Sequence, residues 1–212
     1  KQLFRSRDLP VADEVVVYKR DGADVGAQRV VNTLGQDVVI KPSSQGSGLG
    51  VVFGKDTAEL APAIEQAFAF DDSVLVEQRI EGKEITVAVL ERGGNPEALP
   101  VVEITTPEGS WYDYEHRYTE GLADHIMPAP LPEEQYRRTQ EVAVLAFESL
   151  GCRDLSRADF VVPERGEPII LEVNTMPGMT PTSLFPDAAR EAGISFEELV
   201  ALLVERAVSR KS

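Results

Sequence analysis

The stretch PIILEVNTMPGMTPTSLFP, residues 168–186, decides how the chain is read. An apolar strand pattern ends by presenting a carboxylate, Glu172, and an amide, Asn174, then runs into a turn crowded with Pro, Gly and hydroxyl side chains. Neither polar group suits a buried structural strand, because each must find a partner once it leaves water. The pattern asks for a ligand, a metal or a local hydrogen-bond network.

Just upstream, SRADFVVPERGEPIILEVNT has the form of two strands joined by a polar turn at residues 164–167. Antiparallel pairing about that turn sets Asp159 opposite Glu172 and Arg157 opposite Asn174, and the period of two places all four on one face. Ile170 and Val161 are expected on the same face, as the wall of a pocket, with Val173 on the apolar side. Two facing carboxylates raise each other's pKa unless a cation lies between them. Mg²⁺ supplies that charge and prefers oxygen, which Asp159, Glu172 and the Asn174 amide offer alongside phosphate oxygens. Arg157 adds a fixed cation beside them. Taken alone, the hairpin also reads as a solvated face carrying one ordinary Asp–Arg or Glu–Arg pair.

A second motif, VVIKPSSQGSGLGVVFG at residues 38–54, puts Lys41 at a strand end ahead of a glycine loop. Gly46, Gly48 and Gly50 allow close backbone approach to a ligand, and Ser43, Ser44 and Ser47 add hydroxyl donors. Amides in such a loop cradle phosphate oxygens while Lys41 adds a point charge. It is not a Walker loop, because the lysine precedes the glycines, and not a dinucleotide fingerprint, because it leads into a strand. A plain hairpin is the competing reading. Together, the loop and the acidic strand pair describe a nucleotide clamped between two lobes.

The 212 residues and their net charge of −15 exclude broad nucleic-acid binding as a starting point. No apolar run is long enough to cross a bilayer, so no membrane role is expected. Cys152, the single cysteine, rules out an intrachain disulfide or a thiolate cluster and reads as a small core residue. The chain opens at Lys1 with no initiator Met or leader, and reads as part of something longer. Strands are predicted at EVVVYKR, QDVVIKP, GVVF, SVLVEQ and EITVAVL. A helix is predicted over residues 56–70, with Pro62 in its first turn. A longer one over residues 131–151 carries Tyr136, Ala143, Phe147 and Leu150 on one stripe. A third, at the C-terminus, opens with a Ser195–Glu198 capping box. The predicted class is α+β, with a small lobe over residues 1–80 and a larger lobe over 81–212. The aromatic, charged WYDYEHRYTEG at 111–121 reads as a site loop.

VIKPSSQGSGLG, VLVEQRIEGKEITVAV, WYDYEHRY, SRADF and ILEVNTMPGMTPTSLFP together resemble the central and C-terminal domains of D-alanine–D-alanine ligases, within the ATP-grasp superfamily. The resemblance covers nearly the whole chain. It implies an ATP-grasp fold with nucleotide in the cleft between two lobes. The implied activity is ATP-dependent joining of two D-alanines through an acyl phosphate, for peptidoglycan precursors in the cytoplasm. The implied cofactors are ATP and Mg²⁺, with Mn²⁺ as a substitute.

The resemblance further implies Lys41 as the phosphate-binding lysine and Ser47 as part of the loop closing over phosphate and substrate. Glu77 corresponds to the adenine-amino acceptor with Ile80 nearby, Glu84 to the ribose acceptor, and Trp111, Val161 and Leu171 to apolar positions around the base. Asp159, Glu172 and Asn174 correspond to metal ligands. Arg157 and the Gly178 N–H correspond to groups that stabilise tetrahedral oxygen charge, Tyr118 to the loop tyrosine near the first substrate, and Ser183 and Leu184 to the second substrate's carboxylate contact. Arg117 stands near the phosphates and second carboxylate where the family usually has lysine, and Gly48 and Met176 stand where many members carry serine. The family's N-terminal domain has no counterpart here, so the isolated chain is expected to bind ATP weakly and to be inactive, and a full-length parent to be a homodimer. Two alternatives stand beside this reading. One is an ATP-grasp carboxylate–amine ligase with D-lactate, D-serine or an L-amino acid as second substrate. The other is a noncatalytic acidic binding module.

Overall fold

The computed structural model describes residues 1–107, 111, 115, 119, 121–180 and 183–210. The chain forms α1 (Gln2–Arg5), β1 (Glu14–Tyr18), α2 (Ala23–Leu34), β2 (Val38–Pro42), β3 (Val52–Gly54), α3 (Thr57–Ala67) and β4 (Ser73–Gln78). There follow β5 (Lys83–Arg92), β6 (Asn95–Ala98), β7 (Val102–Thr105), β8 (Asp124–Ile126), α4 (Glu133–Ser149), β9 (Leu155–Val162), β10 (Ile169–Asn174), α5 (Leu184–Glu191) and α6 (Phe196–Ser209). They divide into two compact units, one of Ala12–Ile80 with Thr106–Ala123, the other of Lys1–Val11, Glu81–Thr105 and Asp124–Ser212.

In the first unit, an antiparallel sheet runs in the order β1-β4-β2-β3. Alternation decides its faces: Val15, Val17, Val38, Ile40, Val74 and Val76 turn inward onto α2 and α3, where Val30, Leu60 and Ile64 complete the core. α2 carries little sequence signal of its own. Its segment carries Gly26 and three β-branched valines, all weak helix formers. Packing supplies what propensity does not, because a Cβ on Gly26 would stand 2.2 Å from Val17 Cγ1. α3 starts at Asp56, whose side chain accepts from Ala58 N at 3.0 Å. Pro62 therefore falls inside the helix and not in its first turn as predicted.

The second unit is built on a six-stranded antiparallel sheet in the order β10-β9-β5-β7-β8, with β6 hydrogen-bonded to β5. Ile85, Val87 and Val89 of β5 share one face with Ala158, Phe160 and Val162 of β9 and form a core with Val142, Ala143, Ala146 and Phe147 of α4. Leu150, predicted on the α4 stripe, is instead exposed at the helix C-cap. Cys152 packs half-buried against this core, and burial pushes its thiol pKa up. Phe4 and Leu9 are buried in the same core, and Ile170 N donates to Pro10 O at 2.9 Å. Residues 1–11 thus belong to the second unit, not to a lobe over 1–80, because their apolar side chains are buried there. On the opposite face, α5 packs on β5, with Phe185 and Ala188 fully buried. α6 begins with the predicted capping box, Ser195 Oγ accepting from Glu198 N and Glu198 from Ser195 N.

Candidate active site

The acidic strand pair lies on the second unit's sheet. The β9–β10 ladder pairs Asp159 with Glu172 and Arg157 with Asn174, the predicted register. It gets there through an irregularity. Ile170 pairs with Phe160 and the next matched pair is Glu172 with Asp159, so Leu171 is one residue extra. That bulge corrects the predicted place of Ile170, which is fully buried in the apolar core and not beside the carboxylates. Val161 does stay on the polar side, opposite Glu84 of β5. Glu84, Thr86, Val161, Asp159, Arg157, Glu172 and Asn174 therefore occupy one face by cross-strand register.

Asp159 is 9% exposed and tightly held. Arg157 Nε donates to its Oδ1 and Nη2 to its Oδ2, both at 2.8 Å, in a planar fork. Thr86 Oγ1, itself buried, donates to the same Oδ1 at 2.6 Å. Thr86, a threonine in a strand, gives no signal of its own until the register sets it opposite Asp159. Glu172 is exposed, and Asn174 Oδ1 accepts from Met176 N at 3.0 Å, which turns the amide oxygen toward the strand end. No group of three or more His, Cys, Asp or Glu able to hold a metal occurs among the described residues. Two facing carboxylates and an amide are an all-oxygen set, which fits a hard divalent ion that completes its shell with water or phosphate.

Beyond β10, Gly178 approaches Ser183 so closely that a Cβ would lie 2.7 Å from Ser183 Oγ. Ser183 Oγ accepts from Thr180 N at 3.1 Å and is hydrogen-bonded to Thr180 Oγ1 at 2.7 Å. Ser183 is the residue preceding α5, whereas the Leu184 side chain is buried.

The first unit carries the second cluster on the face of its sheet turned away from α2 and α3. Val39, Lys41, Leu75, Glu77, Glu14, Val16 and Phe53 alternate outward there, with Val39 paired to both Phe53 and Glu77, and Glu77 paired to Glu14. Lys41 makes an ion pair with Glu77, which is 2% exposed. Phe53 meets Trp111 edge-on at 5.3 Å, and the Arg79 guanidinium lies 5.2 Å from the Phe53 ring centre. Phe53 and Glu14 look like ordinary strand residues until register brings them to this face, and Arg79, just beyond β4, gives no signal until its guanidinium is seen over Phe53. Ile80 is half-buried just beyond β4. Ser47 sits at φ 57° between Gly46 and Gly48 in the loop after β2. Arg117 and Tyr118 lie outside the described residues.

Residues 3–205 match the family described as D-ala D-ala ligase C-terminus. The chain belongs to the D-alanine–D-alanine ligase family. Its architecture is the ATP-grasp fold. It is 44% identical over 214 residues to the D-alanine–D-alanine ligase of Pelotomaculum thermopropionicum, a match that covers 98% of this chain and 66% of that protein. Among solved structures it resembles D-alanyl-alanine synthetase A from Vibrio cholerae with a TM-score of 0.86 at 30% identity, covering 99% of this chain and 63% of the other. It also resembles the VanG D-Ala:D-Ser ligase from Enterococcus faecalis with a TM-score of 0.82 at 31% identity, covering 96% and 59%. The chain thus spans about two thirds or less of the length of these family members. No helix among the described residues is long and apolar enough to cross a membrane.

Proposed function

We propose that the chain is the nucleotide- and metal-binding part of a cytoplasmic ligase that joins two D-alanine molecules with ATP, through an acyl phosphate, for peptidoglycan precursors. The observation that carries this is the Asp159–Glu172 and Arg157–Asn174 register in a chain of this family. Asp159, Glu172 and Asn174 would hold Mg²⁺, which when bound neutralises and orients phosphate oxygens. Lys41 and the amides of the loop containing Ser47 bind the phosphates. Glu77 accepts from the adenine amino group beside Ile80, with Trp111, Val161 and Leu171 against the base, and Glu84 accepts from the ribose.

Arg157 brings a rigid positive charge to where the transferring phosphoryl group and then the tetrahedral carbon gather negative charge. Its fork onto Asp159 holds that charge in place before reaction, so little reorganisation is needed. The Gly178 N–H lies beside the same strand end and serves the tetrahedral oxygen. Ser183, with the Leu184 backbone, receives the second substrate's carboxylate, while Tyr118 is assigned to the first substrate and Arg117 to the phosphates and the second carboxylate. Activity requires a further N-terminal domain, and the complete protein is a homodimer.

The test has two parts. Titrating the 212-residue chain with ATP over a magnesium series should give binding that disappears with chelator. Joined to the N-terminal third of a close relative, it should form D-alanyl-D-alanine and ADP in equal amounts. Absence of magnesium-dependent ATP binding would sink the reading. A second reading, a ligase with another acceptor such as D-serine, draws on the VanG likeness and is decided by product analysis over a panel of acceptors.

A further inference from the structure

We propose that Asp71, in the turn between α3 and β4, is a positioning residue for the glycine loop: it ties the loop's first residues to a fixed base so that residues 46–48 meet phosphate oxygens from a set position. The inference rests on the nucleotide reading above and adds a residue that reading does not use.

The two oxygens of Asp71 divide their work. Oδ1 accepts from its near neighbour Ser73, from N at 3.0 Å and Oγ at 3.4 Å, a local turn of the kind many aspartates make. Oδ2 accepts from Ser44, 27 residues away, from N at 2.6 Å and Oγ at 2.5 Å. A turn stabilised for its own sake needs only the first set. The second set reaches across to the chain leaving β2, just where Ser43 N extends the ladder to Ser73 O at 3.1 Å. Gln45 adds a bond from its side chain to Phe70 O at 3.3 Å.

The far foot of the loop rests on the same turn. At Gly50, with φ 73°, a Cβ would lie 2.8 Å from both Phe70 Cδ2 and Pro42 Cγ, so the returning chain is packed against Phe70. Both ends of the loop are therefore gripped by residues 70–73. Between them the loop closes on itself through Leu49 N to Gly46 O and Val51 N to Gly48 O. The Ser44 hydroxyl, ahead of the Ser73 amide, holds the Asp71 carboxyl below its ordinary pKa, so the clamp is charged at neutral pH. An anion under a phosphate loop would repel the ligand if it faced it. Here its oxygens are turned onto the two serines, and the charge acts as an anchor.

Asp71→Asn tests this, because it keeps the volume but points amide hydrogens at donors. Amide exchange in the 212-residue variant should quicken about tenfold across residues 43–50 and stay unchanged in β5 and β9. Mg–ATP affinity should fall about tenfold while adenosine, which has no phosphates, binds as before. Ser44→Ala should give a smaller change in the same direction and add nothing to Asp71→Asn. Unchanged exchange over 43–50 would overturn the proposal, as would equal losses for ATP and adenosine. If the unaltered chain binds no Mg–ATP, the nucleotide reading fails, and the exchange measurement still decides whether Asp71 holds the loop.

Discussion

Glu172 lies directly opposite Asp159 because the bulge at Leu171 absorbs one residue of β10. Without it, every side chain beyond Ile170 would change faces, and Glu172 would point into the core of α4. Glu172→Gln removes one charge at an exposed position and relieves a repulsion. Thermal stability should hold or rise slightly, while magnesium-dependent ATP binding weakens on the order of tenfold or more. Equal binding at limiting magnesium would remove Glu172 from the metal ligands.

Arg157→Ala should hurt twice. The Arg157 and Asp159 side chains are only 12% and 13% exposed, so the alanine variant leaves a carboxylate largely out of water without its fork. A loss of about 3 kcal/mol in urea unfolding is expected. In the ligase assay, turnover should fall on the order of a hundredfold with ATP affinity less affected. Lysine should rescue only part, because it lacks the planar fork. Near-normal turnover at saturating substrate in a folded alanine variant would return Arg157 to a structural pair.

Thr86→Val keeps the β-branched shape and removes only the hydroxyl. Losing a bond to a charged acceptor should cost about 1.5–3 kcal/mol of stability and loosen Mn²⁺ binding about tenfold or more. Thr86→Ser should restore both. If valine shifts stability but leaves Mn²⁺ affinity untouched, Thr86 supports the strand and not the carboxylate.

Gly26→Ala sets propensity against packing. In an exposed helix interior the change would stabilise by about 1 kcal/mol. Here the new methyl meets Val17, so a net loss of about 1–3 kcal/mol is expected, together with shifted signals for β1 in NMR spectra.

Ser195→Ala should cost about 1 kcal/mol by removing the N-cap of α6. The Ser195 N–H, ahead of its hydroxyl, holds the Glu198 carboxyl below its ordinary value. A folded pKa below the unfolded one means that this contribution is present above the unfolded pKa and fades as pH falls through the folded one. The stability gap between the unaltered chain and Glu198→Gln, followed by denaturation at a series of pH values, should therefore close on the acid side of pH 4.5. A gap that widens there would contradict the assignment.

Local periodicity carried much of this in advance. The Asp159–Glu172 register follows from two strand patterns and one polar turn, and the Ser195–Glu198 box from two residues at the right spacing. What periodicity cannot carry is the count of a bulge, since Leu171 looks the same in or out of register. It also misses α2, which rests on the fit of Gly26 against Val17. Lys41 and Glu77 could be singled out, but their ion pair, and the presence of Phe53 and Glu14 on the same face, depend on how four strands pair across the chain.

The placement of Phe4 and Leu9 has a kinetic side. The second unit's core needs contacts between residues 1–11 and segments beyond residue 80, with the Ala12–Ile80 segment strung between. Left as loose chain, so long a loop would carry a heavy closure entropy. But β1 and β4 run antiparallel, Glu14 beside Glu77, with Gln78 N bonded to Asp13 O at 2.9 Å. Once that sheet forms, the inserted segment leaves beside where it entered, and a tether of nearly seventy residues shortens to the width of two strands. The first unit thus acts as a staple for the second, and a mutation that frays β1 from β4 should slow assembly of a core it never touches.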